Sequence, residues 1–369
     1  MTKALVIDKN YEKGTIEFLK NLLEKGKVKA VFSLKKINKN SDVAYSLITD
    51  PKELDDSVPF YPTMPVNAGY LLSRFTMKKP STEPVIAVLK PCEIRAFVEL
   101  IKREQGSLEN VYILSFTCGG VYTHKMVAED AIENNLSKYK QALKSGEILD
   151  NLRPACRSCD EFIPYNADIT VDLSCKGDID KQVTMLLNSE KAENIAKDSN
   201  GKIADKSLDN KKLENFKTKR IKEKEKLYKE IDSKIKGLDN LIDTFGKCIS
   251  CHACGRVCPI CYCTVCEFES PDSEYKPSNF ETELLKRGAM RVPPGTIYYQ
   301  LGRLDHIAIS CVACGACSDV CPVDIPVSLI FKKIGESVQK MFDYVAGKDL
   351  DEDLPLSTFK KEELLEYEE

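Results

Sequence analysis

Short apolar runs alternate with amphipathic stretches along the first 120 residues. Residues 4–7 read as a strand, and 15–25 as a helix with Ile16, Leu19, Leu22 and Leu23 on one face; 28–34 read as a second strand. Residues 84–89 (Pro-Val-Ile-Ala-Val-Leu) form a buried-looking strand leading to Lys90-Pro91-Cys92, with a helix over 93–102. The next strand, 110–116, ends at Thr117-Cys118-Gly119-Gly120. Strand, helix and strand with short connections predict a parallel pair joined by a right-handed crossover. Ligands in such sheets gather beyond the carboxyl ends of the strands, where Cys92 and Cys118 both fall.

From 189 to 236 the pattern turns polar and lysine-rich, with Ile221, Leu227 and Ile231 at helical intervals, which predicts a solvated, charged connecting helix. The expected organisation is α/β (α+β): an N-terminal domain over 1–188, that linker over 189–236, a helix-rich two-cluster ferredoxin-like domain over 237–345, and an acidic tail over 346–369. Lys and Arg number 54 against 57 Asp and Glu, so charge singles out neither nucleic acid nor an anionic membrane as a partner. No run approaches the ~18 apolar residues of a membrane span, and no export leader is read at the start. A cytoplasmic location is expected.

The 16 cysteines change the picture. In a reducing compartment, clustered thiols point to metal or redox chemistry rather than disulfides. Eleven lie between Cys248 and Cys321. Two runs, Cys248-x2-Cys251-x2-Cys254-x3-Cys258-Pro259 and Cys311-x2-Cys314-x2-Cys317-x3-Cys321-Pro322, follow the spacing of bacterial ferredoxins. Three thiols two residues apart wrap one corner of a 4Fe-4S cubane, and the fourth commonly serves the other cluster. Four-cysteine zinc sites instead pair C-x2-C knuckles across a longer gap. Two 4Fe-4S clusters on these eight cysteines are therefore expected. Helical periodicity between the runs (281–286 and 296–304) predicts a helix-rich domain. Cys261, Cys263 and Cys266 are candidates for an additional site or buried free thiols. Cys156-x2-Cys159 alone is compatible with a dithiol or half a metal site; with Cys92 and Cys118 it would complete a third cubane. Cys175 has no partner spacing and reads as structural.

Lys90-Pro91-Cys92-Glu93-Ile94-Arg95, Phe116-Thr117-Cys118-Gly119 and Cys156-x2-Cys159-Asp-x-Phe…Asn166-Ala167-Asp168-Ile169 occur in that order. Together with the two cysteine runs, this set resembles the beta subunits of coenzyme F420-reducing hydrogenase and formate dehydrogenase, nearest the formate dehydrogenase branch. The resemblance covers about residues 80–345. It implies a flavin domain with FAD, hydride exchange with coenzyme F420 and single-electron passage through 4Fe-4S clusters to a catalytic partner. It also implies that Cys92, Cys118, Cys156 and Cys159 hold a cluster near the flavin. Lys90, Gly119, Gly120, Asn166 and Asp168 are carried as candidate cofactor-binding positions, with Arg95 a further cation at the same edge. Cys175 departs from the pattern, standing where relatives often have glycine.

A flavin converts two-electron hydride chemistry into one-electron cluster chemistry. No G-x-G-x-x-G follows the first strand, so a Rossmann dinucleotide site is not expected. The hydride partner is left open between F420 and NAD(P). The catalytic partner is left open among a formate dehydrogenase, a hydrogenase and a heterodisulfide reductase-type complex. His124, His252 and His306 read as structural, and no acid–base pair is recognisable. The competing reading is a non-catalytic relay whose N-terminal half only docks a partner; it predicts about eight irons rather than about twelve.

Overall fold

The computed structural model describes residues 2–37, 42–129, 132–173, 178–197, 199–270, 276–288 and 296–357. Eight strands among them form one sheet: β1 (Thr2–Ile7), β2 (Ala30–Lys36), β3 (Val43–Ile48), β4 (Val85–Val88), β5 (Val111–Phe116), β6 (Ile169–Val171), β7 (Val183–Leu187) and β8 (Lys202–Lys206). Their order is β3-β2-β4-β5-β6-β7-β1-β8. The central four, β2, β4, β5 and β6, run parallel, with Ala87 opposite Ile113 and Leu114 opposite Ile169. Ile86, Ala87, Val88, Ile113 and Leu114 are all buried. Both faces of these strands are covered, so they read as continuous apolar runs rather than alternating ones.

Helix α1 (Tyr11–Glu24) is capped by Asn10, whose side chain accepts from Lys13 N at 2.8 Å. It buries Phe18, Leu19 and Leu22 in the main core. Helices α2 (Ala68–Thr76) and α3 (Pro91–Ile101) cross at Gly69, where a Cβ would overlap the Glu93 carbonyl. Pro91 opens α3 and the Glu93 carboxylate accepts from Lys90 N at 2.7 Å, so the sharp exit from β4 sets Cys92 in the first helical turn.

Strand β1 pairs antiparallel with β7 and β8. One expectation needs correction. The sheet extends beyond residue 188, because β8 lies inside the stretch expected to be linker. Its residues Lys-Ile-Ala-Asp-Lys are mostly exposed, so an edge strand wet on both faces leaves no apolar alternation to read. The connecting helix itself spans Asn210–Ile235. It is less solvated than expected: Leu213, Arg220, Leu227 and Ile231 are buried in a single stripe.

The second core joins Leu227 and Ile231 to Phe245, Ile260, Ile307, Ile330 and Phe331. Helices Pro277–Arg287 and Thr296–Ile307 separate the two cysteine runs, and Val327–Met341 follows the second. The chain then returns to clasp α3. Arg95 Nε donates to the Ala346 carbonyl at 2.7 Å, and Gly347 N donates to Glu99 Oε1 at 2.7 Å. Gly347 has φ +69°, and a Cβ there would overlap the Arg95 backbone. Among the described residues no helix is long and apolar enough to cross a membrane.

Candidate cluster-binding site

The same backbone device shapes both runs. Ser250 and His252 have φ of 55° and 56°, and their counterparts Ala313 and Gly315 have 55° and 84°. Left-handed residues flanking the middle cysteine turn successive N–H groups inward, forming a concavity suited to an anionic group. Cys248, Cys251 and Cys254 share one pocket with Cys321, and Cys311, Cys314 and Cys317 share another with Cys258. Each run thus sends its fourth cysteine to the other pocket. Ile325 N donates to Cys321 Sγ at 3.4 Å, and backbone amides of Ala313, Ala316 and Ile260 serve Cys311, Cys314 and Cys258.

The N-terminal cysteines meet at the carboxyl edge of the sheet. Cys92 follows β4, Cys118 follows β5, Cys156 lies in the short helix Pro154–Arg157 and Cys159 just beyond it. Cys92 and Cys156 pack with Cys314 around Met64, Val121 and Ala316. Gly120 N donates to Cys118 Sγ at 3.4 Å, and a Cβ on Gly120 would stand 3.1 Å from Cys156 Cβ. This set abuts the second run directly: a Cβ on Gly315 would stand 2.9 Å from Ala155 Cβ. Three cysteine sets therefore lie in series, the N-terminal four, then Cys311/314/317/258, then Cys248/251/254/321.

Burial raises these thiols: Cys118 and Cys311 to about 12, Cys314 to about 11, and Cys92, Cys156 and Cys317 upward as well. Cys258 goes the other way, to about 6, chiefly through a hydrogen bond from Cys261, with Arg303 assisting against burial. Buried thiolates need positive charge beside them. Four thiols at each pocket, with backbone amides turned toward them, match the donor set of a 4Fe-4S cubane.

The surrounding donors fit the same group. Arg220 is 1% exposed and reaches from the connecting helix to the Gly119 carbonyl at 2.7 Å, the Cys118 carbonyl at 3.2 Å and the Cys159 carbonyl at 3.3 Å. Its guanidinium lies over the rings of Phe162 and Phe216, and its Nε has no acceptor among the described residues. Asn67 Nδ2 is likewise buried without a protein oxygen and lies at Cys314. Arg153 pairs with Asp319 and donates to the Cys314 carbonyl at 3.3 Å. Lys332 donates to the Ser158 carbonyl at 2.6 Å and pairs with Glu336. Between Cys159 and Cys311, Lys332 and Glu336 line a cleft of about 240 Å³ together with Arg95 and Asp160.

A larger cavity, about 390 Å³, opens beside Cys118. Its walls are Leu143, Phe162, Leu173 and Phe216, and Lys144, Lys212, Lys219 and Lys222 rim it. That volume is in the range of small-molecule sites. Gly119 borders an adjoining hollow, sharing Leu143 and Phe216 with the cavity. Lys90, Gly120, Asn166 and Asp168 do not line it. Lys90 is buried, its ammonium donating to Tyr45 at 3.3 Å. Asn166 holds the C-terminal return through the Lys348 carbonyl at 2.9 Å; Asp168 accepts from Ile113 N at 2.9 Å and Ser189 at 2.6 Å.

Of the remaining cysteines, Cys261 contacts Cys258, Cys263 is exposed, and Cys175 lies outside the described residues. The histidines have packing partners: His124 with the Met64 carbonyl at 3.1 Å, His252 stacked on Tyr299 with centroids 4.0 Å apart, and His306 against Phe268.

Residues 244–325 match the family model described as a 4Fe-4S dicluster domain. The chain is 31% identical to the F420-dependent formate dehydrogenase 1 subunit beta of Methanococcus maripaludis, covering 93% of each chain. It is 28% identical to the F420-dependent formate dehydrogenase subunit beta of Methanocaldococcus jannaschii, covering 89% of this chain and 90% of that one. A chain of the F420-reducing NiFe hydrogenase complex from Methanosarcina barkeri superposes with a TM-score of 0.45 at 12% identity, over 65% of this chain and 94% of that one. With whole-length relatives at this identity and a dicluster domain at the paired runs, the chain belongs to the family of F420-dependent formate dehydrogenase beta subunits and is an iron–sulfur oxidoreductase subunit.

Proposed function

We propose that the chain exchanges a hydride with coenzyme F420 by way of FAD and carries single electrons to or from a catalytic formate dehydrogenase subunit. The partner follows the names of the two full-length relatives; neither name mentions a hydrogenase or a heterodisulfide reductase, and neither mentions NAD(P). The ligand sets would be Cys92/118/156/159, Cys311/314/317/258 and Cys248/251/254/321, one 4Fe-4S cluster each. Bound FAD would supply the exchange between hydride and single electrons.

One observation carries this reading: three four-cysteine sets lie in series, and the lysine-rimmed cavity opens at the end where Cys118 stands. A relay that only docks a partner has no use for such a cavity. Within it, Lys219 and Lys222 suit the phosphates of a dinucleotide, and Phe162 and Phe216 supply an aromatic wall. Arg220 fastens the Cys118 and Cys159 loops to one helix, fixing the distance between cavity and cysteines.

Anoxic purification of the full chain, with iron and flavin measured on one sample, tests the reading. The expected result is about twelve irons and one flavin per chain, with F420 reduced when the partner oxidises formate. Full iron without flavin would leave only the relay, and iron-free protein would end the proposal.

A further inference from the structure

Buried cations around the cysteine sets are unevenly compensated. Beside the second run, Arg153 is paired with Asp319, and Lys332 with Glu336 at 2.9 Å. Arg303, only 3% exposed, has no such pairing among the described residues: the charges that face it are the thiols of Cys254 and Cys261 and, from the neighbouring pocket, Cys258 and Cys317, with its hydrogen bond to sulfur made at Cys254. Its Nη1 donates to Cys254 Sγ at 3.1 Å, its Nη2 to the Cys254 carbonyl at 3.1 Å, and its Nε has no acceptor among the described residues. Gln300, nearly one turn earlier, turns its amide toward Cys254 Sγ at 3.7 Å and Cys248 Sγ at 3.8 Å. The rings of Tyr299 and Phe331 cover the guanidinium, with centroids 5.6 and 5.1 Å away.

Net charge and hydrogen bonds to sulfur are levers that set a cluster's reduction potential. Gaining one electron adds one negative charge with no bond made or broken. A buried, uncompensated cation touching sulfur favours that gain, whereas a cation already neutralised by a carboxylate favours it little.

We infer that Arg303 is the positioning residue that raises the potential of the cluster at Cys248, Cys251, Cys254 and Cys321 above that of its neighbour at Cys311, Cys314, Cys317 and Cys258. The inference rests on the cluster reading above. The electron, delivered from hydride oxidation, then comes to rest at the cluster whose Cys251 is exposed, the end a partner can approach.

Dithionite titration of the anoxic full-length chain, followed by EPR, is the test. Arg303→Met is expected to retain the wild-type iron content and to lower the one-electron reduction equilibrium of one cluster about tenfold, or 59 mV. That signal is the one altered by Cys251→Ala, and the other two are expected to change less than about threefold, since Arg303 hydrogen-bonds sulfur at Cys254 and faces Cys258 and Cys317 without such a bond. Arg303→Lys, keeping the charge but not the fork, recovers part of the shift. Full iron with unchanged potentials overturns the inference and leaves the cluster reading intact; iron-free wild-type protein overturns that reading itself. If Arg303→Met binds no iron, Gln300→Leu decides: a shift of about threefold in the same direction supports the inference, and unchanged potentials refute it.

Discussion

The two cysteine runs share one backbone and have contrasting surroundings. Ser250 and His252 match Ala313 and Gly315 in left-handed φ, yet the first run meets solvent at Cys251 and at Ile249, 57% exposed. The second is wedged between the sheet domain and the C-terminal helices, with Gly315 against Ala155. Arg303 donates to Cys254 Sγ of the first run and also faces Cys258 and Cys317 of the other pocket, whereas Arg153 and Lys332 beside the second run pair with carboxylates. Identical spacing thus specifies the loop, and the distant chain specifies the charges set around it.

Four substitutions break or sharpen this contrast. The largest effect is expected from Asp319→Ala, which leaves Arg153 buried without its carboxylate and destabilises the fold by about 3–5 kcal/mol, read from the urea midpoint. A loss below about 1 kcal/mol, the size of a surface ion pair, would mean that compensation at the second run is unimportant. Next comes Gly315→Ala. Its φ of +84° and the 2.9 Å approach to Ala155 make a cost of about 1–3 kcal/mol expected, with weakened magnetic coupling between the N-terminal and second clusters in EPR. Lys222→Gln removes one rim charge from the cavity and is expected to weaken FAD about fivefold, near 1 kcal/mol. Its iron content stays unchanged, and equilibrium dialysis reads the affinity. The smallest effect is expected from His252→Gly, the first run's counterpart to the Gly315 position. Relief of its left-handed backbone offsets the lost stack on Tyr299, leaving stability within about 0.5 kcal/mol by thermal melting.

Much of this contrast was invisible in the residues alone. The run spacing named eight cysteines and the family resemblance the N-terminal four, while the exchange of fourth cysteines between pockets was expected from the two-cluster ferredoxin pattern. Strands β4 and β5 were legible because both faces are buried. Strand β8 was not, being exposed; β3 and β7 lacked a flanking motif, and β6, though it follows the Asn166–Asp168 motif, is only three residues long. The cations were hidden for a different reason. Arg220 stands seven residues after Leu213 and seven before Leu227, inside a buried stripe; that spacing was the available signal, but a lysine-rich segment reads as solvated throughout. Arg303 gave no signal, since its partner Cys254 is 49 residues away. Lys90 and Asp168 were picked out by motif, and the structure employs both in hydrogen bonds that brace the sheet edge.

The exchange of fourth cysteines between pockets has a consequence for biosynthesis. Cys258 waits for partners that begin 53 residues later at Cys311, and Cys254's pocket is closed only by Cys321. Under the proposed assignment, a nascent chain halted between the runs would own neither complete ligand set, so four-thiolate ligation of either cluster would await emergence of both runs.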